Sequence, residues 1–168
     1  EYVIEPQFSA ARGFSEGVAA VRFDGRWGFI NRDGSFVINP SFTGAYPYSD
    51  GRAFIRTSDW DWEYVDRDGN VIRTDDTPRF DENDEGTFND GLALVRRDGT
   101  FGYIDTATRP FIPLQYTEAR AFSDGRAAIK ISDRWGYIDT SKNTVIDPQY
   151  ISAGSFMDGL APVRASRV

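Results

Sequence analysis

Phe14-Ser15-Glu16-Gly17-Val18-Ala19 is a phrase that returns as Tyr48-Ser49-Asp50-Gly51-Arg52-Ala53, Phe88-Asn89-Asp90-Gly91-Leu92-Ala93, Phe122-Ser123-Asp124-Gly125-Arg126-Ala127 and Phe156-Met157-Asp158-Gly159-Leu160-Ala161. Its glycines stand at 17, 51, 91, 125 and 159, so the spacings are 34, 40, 34 and 34. Self-similarity at a fixed period of that size belongs to solenoids, propellers and arrays. In these, each unit is one supersecondary element that buries its apolar face only against its neighbours.

Three strand signals follow each phrase. Val18-Ala19-Ala20-Val21-Arg22-Phe23 is a short β-compatible run, and Asp24-Gly25 after it is a strong hairpin signal because both residues tolerate positive φ. Arg26-Trp27-Gly28-Phe29-Ile30-Asn31 is the second strand, and a turn at Arg32-Asp33-Gly34 leads to the third, Phe36-Val37-Ile38. Asn39-Pro40 ends it, since proline cannot donate into a central ladder. Later units repeat the second strand at 62–66, 101–105 and 135–139 and the third at Val71-Ile72, Phe111-Ile112 and Val145-Ile146. No stretch has helical periodicity.

The expectation is an all-β chain of tandem three-stranded antiparallel meanders, β-propeller-like with five small blades. An open β-hairpin solenoid is the alternative. Residues 1–168 form a single repeat domain: a partial unit 1–13, units 14–47, 48–87, 88–121 and 122–155, and a partial unit 156–168. Val3-Ile4-Glu5-Pro6-Gln7-Phe8 matches Val145-Ile146-Asp147-Pro148-Gln149-Tyr150, so the chain opens on an orphan third strand and closes on an orphan first strand at 160–164. These two half-units could pair to close a ring.

The hairpin register makes a further prediction. A two-residue loop at Asp24-Gly25 sets Arg22 opposite Trp27 and Val21 opposite Gly28. The same construction sets Arg96 opposite Phe101 and Lys130 opposite Trp135, while a three-residue loop, Ser58-Asp59-Trp60, sets Arg56 opposite Trp62. A guanidinium over an indole stabilises by about 0.5–1 kcal/mol when exposed, and cross-strand pairs pin register. Gly28, Gly102 and Gly136 are expected to admit a close neighbour.

Trp27-Gly28-Phe29-Ile30 and Trp135-Gly136-Tyr137-Ile138, each followed by a Val-Ile-x-Pro-x-aromatic phrase, resemble the WG-repeat family of bacteria, whose unit the Phe-Ser-Asp-Gly-x-Ala phrase also matches. The resemblance spans essentially the whole chain. It implies a β-rich array, usually bacterial and often joined to other modules of a longer parent chain, that serves as a binding or scaffold element and brings no catalytic residues. Two units depart from the pattern: Glu63 replaces the glycine of the second, and Phe101 the tryptophan of the third.

Composition narrows the chemistry. The 168 residues contain no cysteine and no histidine, which removes disulfides, thiolate nucleophiles, histidine bases and Cys/His zinc sites. There is no apolar run long enough for a membrane helix and no signal-peptide pattern. Opening on Glu1, the chain is expected to be a processed or excised stretch of a longer one; an extracytoplasmic location is slightly favoured. Residues 59–90 carry 12 acids and 3 arginines, so the net charge of −7 is concentrated there. Such a patch repels phosphate backbones and steers basic partners, so nucleic acid and membrane insertion are not expected.

Function is therefore sought where the repeat is irregular. Asp59-Trp60-Asp61-Trp62-Glu63 occurs once; in an extended segment its two indoles share a face, which suits stacking on a sugar or holding a cation. Trp62 is a repeat position, so Asp59, Trp60, Asp61 and Glu63 are the candidate ligand residues. Asp81, Asn83 and Glu85 begin like a calcium loop, but Leu92 stands where that motif needs a bidentate carboxylate. The recurrent acids at 16, 50, 90, 124 and 158 read as turn residues rather than catalysts. The reading is a non-catalytic module without cofactor that binds a protein partner, with a carbohydrate or cell-envelope ligand gripped by exposed aromatics as the alternative.

Overall fold

A computed structural model describes residues 3–58, 61–73 and 86–166. The chain divides into two compact units, the first holding two sheets and the second three. In the first unit, β1 (Ala10–Ala11), β2 (Ala19–Phe23), β3 (Arg26–Ile30) and β4 (Phe36–Phe42) form one antiparallel sheet in chain order. β5 (Gly44–Ser49), β6 (Arg52–Arg56), β7 (Trp62–Val65) and β8 (Val71–Ile72) form the next. In the second unit, β9 (Phe88–Asn89) to β12 (Pro110–Tyr116) build a sheet with β10 (Leu92–Arg97) and β11 (Thr100–Asp105) between them. β13 (Glu118–Ala119), β14 (Arg126–Ile131), β15 (Arg134–Asp139) and β16 (Thr144–Tyr150) build the fourth. β17 (Ser152–Ala153) and β18 (Val163–Arg164) form a two-stranded ribbon.

The chain is thus all-β, and each complete sheet is a four-stranded meander of the kind that makes a propeller blade. A short strand joins the three that the sequence indicated: in the first sheet Ala10 and Ala11 pair with Arg22 and Val21, and in the fourth Glu118 and Ala119 pair with Lys130 and Ile129. The N-terminal expectation is corrected. Residues 3–8 form no strand; having no second strand beside them to complete a ladder, they lay Ile4 and Phe8 against Ala19, Val21 and Ile30 of the first sheet. At the other end Val163–Arg164 pairs with Ser152–Ala153.

Hairpin register follows from turn chemistry. Asp24 and Gly25 have φ of 47° and 78°, and Asp98 and Gly99 51° and 76°, the left-handed pair that a two-residue turn matched to strand twist requires. Arg22 stands opposite Trp27, Arg56 opposite Trp62, Arg96 opposite Phe101 and Lys130 opposite Trp135. The loop that holds Asp59 and Trp60 lies outside the described residues, although Thr57 N donates to the Asp61 carbonyl at 2.9 Å across its base.

Burial is continuous from sheet to sheet within each unit. Ala20, Phe29, Ile38 and Phe42 of the first sheet pack on Ala45, Ala53, Ile55 and Val65 of the second. Likewise Tyr103, Ile112 and Tyr116 pack on Phe122, Ala127, Ile129 and Ile138, and Tyr137 on Ala153 and Phe156. Strand alternation sends one set of side chains to the preceding sheet and the other to the following one.

Candidate interaction surface

The opening phrase is a clasp between sheets. Its acid takes positive φ in the turn, 50° at Glu16 and 53° at both Asp90 and Asp124, and its carboxylate accepts a hydrogen bond from the marker glycine of the following sheet. Gly51 N donates to Glu16 at 3.1 Å, Gly125 N to Asp90 at 2.9 Å and Gly159 N to Asp124 at 3.0 Å. The serine beside the acid adds a second tie, Ser15 Oγ to the Tyr48 carbonyl at 2.7 Å and Ser123 Oγ to the Phe156 carbonyl at 2.6 Å. The aromatic that opens the phrase meets an aromatic of the preceding sheet edge to face: Tyr48 on Phe29 at 5.0 Å, Phe122 on Tyr103 and Phe156 on Tyr137 at 4.9 Å. Sequence reasoning saw the acids as turn residues and missed the clasp, although the shared distance of Glu16, Asp90 and Asp124 from the next marker glycine was its signal.

The tyrosines of the second strand are spent in the same way. Tyr103 donates to the Arg120 carbonyl at 2.7 Å and Tyr137 to the Gly154 carbonyl at 2.9 Å. Burial pushes the Tyr103 hydroxyl far above its ordinary value, with the neighbouring Tyr116 adding to the effect.

Gly28, Gly102 and Gly136 meet backbone. A Cβ on Gly28 would lie 2.6 Å from the Ile38 oxygen and 2.7 Å from Pro40 N, and one on Gly136 2.5 Å from the Ile146 oxygen and 2.7 Å from Pro148 N. Across these glycines the edge strand bulges, so that Trp27 pairs with Phe42 while Phe29 pairs with Ile38. The Trp-Gly and Ile-x-Pro phrases are therefore two halves of one bulge: the glycine makes room and the proline needs no donor partner. In the second sheet, where Glu63 replaces the glycine, Tyr64 and Val65 pair with Ile72 and Val71 with no register shift between them.

The cations over the rings differ from the expectation in two sheets. Arg56 lies over Trp62 at 5.8 Å and Arg96 over Phe101 at 5.4 Å. In the first sheet, however, Arg22 Nε turns to the Gly25 carbonyl at 3.3 Å, and Arg12 covers Trp27 at 5.4 Å. In the fourth, Lys130 Nζ bonds Glu118 at 2.6 Å, which raises its pKa, and Arg120 covers Trp135 at 5.5 Å. Arg12 and Arg120 each stand five residues before a marker glycine, an equivalence that alignment on the phrase exposes.

Of the irregular candidates, Asp59, Trp60, Asp81, Asn83 and Glu85 lie outside the described residues. Trp62 is committed to packing, its ring stacked on Phe54 at 4.8 Å and 13°. Glu63 accepts from Arg73 Nη1 at 3.0 Å. Asp61 is exposed. Among the described residues no group of three or more acidic or other ligating side chains is placed to hold a metal ion, and no helix is long and apolar enough to cross a membrane.

Among the exposed apolar side chains of the described residues, one repeat position recurs on the last strand of three sheets. Val37, Val71 and Val145 occupy one repeat position and are 44%, 47% and 40% exposed. Phe111 holds the same position in the third sheet under Lys142, whose Nζ is 4.3 Å from its ring centre. β4, β8, β12 and β16, which carry them, each pair on one side only within their sheets.

The family described as WG containing repeat matches the chain over residues 1–27, 27–59, 101–135 and 135–165. The stretch between the second and third matches holds Glu63 and the lengthened repeat. A comparison with curated proteins returns no match. Among solved structures, one titled the eukaryotic initiation factor is 11% identical with a TM-score of 0.50, covering 95% of this chain and 52% of its own. BamB from Moraxella catarrhalis is 14% identical at TM-score 0.45, covering 82% and 51%. The WD40 beta propeller domain of Doa1 is 16% identical at TM-score 0.38, covering 91% and 59%. The chain spans about half the length of these structures.

Proposed function

The chain belongs to the WG-containing repeat family, and from that premise we propose that it is a non-catalytic scaffold that binds protein partners along the outer edge strands of its sheets. The observation that carries this reading is the recurrent exposed valine on β4, β8 and β16. An unpaired strand edge with an outward apolar side chain is a template for another strand. Its backbone supplies hydrogen bonds and its alternate side chains supply specificity, as in strand addition. Single exposed apolar residues are ordinary; one at the same position in successive units is not explained by chance composition. Several polar groups are spent on the fold: Glu16, Asp90 and Asp124 in clasps, Asp66, Asp105 and Asp139 in turns, and the hydroxyls of Tyr48, Tyr103 and Tyr137 on carbonyls.

The test runs protein cross-linking and glycan-array binding on the same preparation, with a Val37→Glu, Val145→Glu double variant alongside. The reading predicts an identified protein partner whose cross-linking falls at least about tenfold in the variant, as loss of a buried interface anchor does, with the melting temperature retained. Glycan binding lost on Trp60→Ala, or polysaccharide turnover abolished by Glu63→Gln, would contradict it.

A further inference from the structure

The first and fourth sheets each carry two cations and one indole at matching repeat positions: Arg12, Arg22 and Trp27 in the first, Arg120, Lys130 and Trp135 in the fourth. In the second and third sheets Tyr46 and Gly86 take the position of Arg12, so the arrangement belongs to these two alone. The fourth sheet satisfies both of its cations. Arg120 Nε donates to the Ala153 carbonyl at 2.7 Å, and Lys130 Nζ bonds Glu118, on the strand paired with its own, at 2.6 Å. The first sheet differs. Ala10 pairs with Arg22 as Glu118 does with Lys130, but brings no carboxylate. Arg12 lies 5.4 Å from the centre of Trp27 and 4.7 Å from that of Tyr46, and among the described residues its side chain makes no hydrogen bond or ion pair. Arg22, also exposed, is tied through Nε to the Gly25 carbonyl at 3.3 Å, and its terminal nitrogens are left for another acceptor. Both cations stand on the face that Ala20 and Phe29 pack against the second sheet.

We propose that Arg12, Arg22 and Trp27 form a docking site for a carboxylate side chain on an acidic segment of a protein partner. The fourth sheet specifies the chemistry of the occupant, because there a glutamate carboxylate sits on the cation paired with the indole. In the first sheet that carboxylate comes from outside the chain. Two rings hold the Arg12 guanidinium in place while its N–H edges stay available, so an incoming carboxylate gains charge-assisted hydrogen bonds with little further ordering. A guanidinium also matches a carboxylate in a paired, two-bond geometry that an ammonium does not offer. Nucleic acid is the less favoured anion, since the net charge of −7 repels a phosphate backbone along its length, whereas a short acidic segment meets that repulsion over few charges. The proposal rests on the reading of the chain as a module that binds proteins, and it names the chemistry of one partner.

The test titrates the isotopically labelled 168-residue chain with hexaglutamate, hexaglutamine and a hexathymidylate strand at one ionic strength. Hexaglutamate is expected to shift the Trp27 indole N–H and the Nε–H signals of Arg12 and Arg22 in the NMR spectrum, and hexaglutamine to leave them in place. Ala10→Glu installs the carboxylate that the fourth sheet already has, and should weaken hexaglutamate binding about tenfold, while Ala10→Gln stays close to the parent. Arg12→Gln and Arg22→Gln should each weaken it about fivefold. The two Ala10 variants keep both arginines and the indole, and an unchanged melting temperature shows that they keep the fold. No shift at Trp27 with millimolar hexaglutamate, binding indifferent to Ala10→Glu, or hexathymidylate binding as tightly as hexaglutamate would overturn the proposal. The edge-strand reading stands or falls separately, on the Val37 and Val145 variant, whose changes lie on β4 and β16.

Discussion

Gly136 shows how one absent methyl group sets the path of an edge strand. Because its neighbours at 2.5 and 2.7 Å are backbone atoms of Ile146 and Pro148, no rotamer change can make room for a Cβ. Gly136→Ala should lose about 1–3 kcal/mol in urea unfolding, the range of overpacked sites, whereas Glu63→Ala in the second sheet should cost less than 1 kcal/mol, mainly the tie to Arg73. The sequence marked these glycines as points of close approach but could not say that the approaching group is the unit's own last strand. It placed Arg22 and Lys130 opposite their indoles, and the register agrees. A long flexible cation, however, chooses among every acceptor within reach, so Gly25 and Glu118 take the heads and leave the rings to Arg12 and Arg120.

Among the elements, the turn between the second and third strands depends on one aspartate. Asp139 accepts backbone amides from Ser141 at 2.9 Å and Asn143 at 2.8 Å, and Asp66 and Asp105 do likewise with their own turns. The amide of Asn143, first among these contacts, holds the Asp139 carboxyl below the ordinary value of 3.8. In Asp66 and Asp105 burial is the largest influence and opposes the shift, but the turn hydrogen bonds together outweigh it. A carboxyl with a lowered folded pKa contributes stability above 3.8 that is lost as pH falls through the folded value. Asp139→Asn, the residue that Asn31 supplies naturally in the first sheet, should therefore lower stability in the neutral region and flatten the acid limb of a stability-versus-pH curve, so that variant and parent converge at low pH. An acid limb as steep as in the parent would show that this carboxylate is not responsible. The three longer strands were legible from alternation and turn residues. The expected end of the third at Asn39-Pro40 is corrected: β4, β12 and β16 run through Pro40, Pro113 and Pro148, because the bulge leaves the proline without a ladder partner to supply. The additional strand was not legible: Ala10–Ala11 and Glu118–Ala119 are too short for any period, and in the longer Gly44–Ser49 the glycine and Pro47 speak against a strand. The third-strand phrase at residues 3–8 was legible as a pattern but forms no strand, since a ladder needs a partner as well as a sequence.

At the scale of the molecule, a local phrase becomes a device that joins neighbours. The 34-residue period announced an array, and its sheets carry that period in their cores. The phrase's acid ties each turn to the next within both compact units. Regularity also explains why the candidate site was read less well than the fold: residues repeated for packing look as prominent as residues kept for binding. Trp62 and Glu63 proved to be engaged by Phe54 and Arg73, while the edge valines drew no notice because nothing in a single unit distinguishes them. The most direct test of the clasp is amide hydrogen exchange at Gly125 and Gly159 in the parent, in Asp90→Ala and in Asp124→Ala. A hydrogen bond of about 1 kcal/mol predicts that Asp90→Ala speeds exchange at Gly125 roughly fivefold and Asp124→Ala does the same at Gly159, each sparing the other amide. Exchange altered only within the substituted turn, with the glycine of the following sheet unmoved, would contradict it.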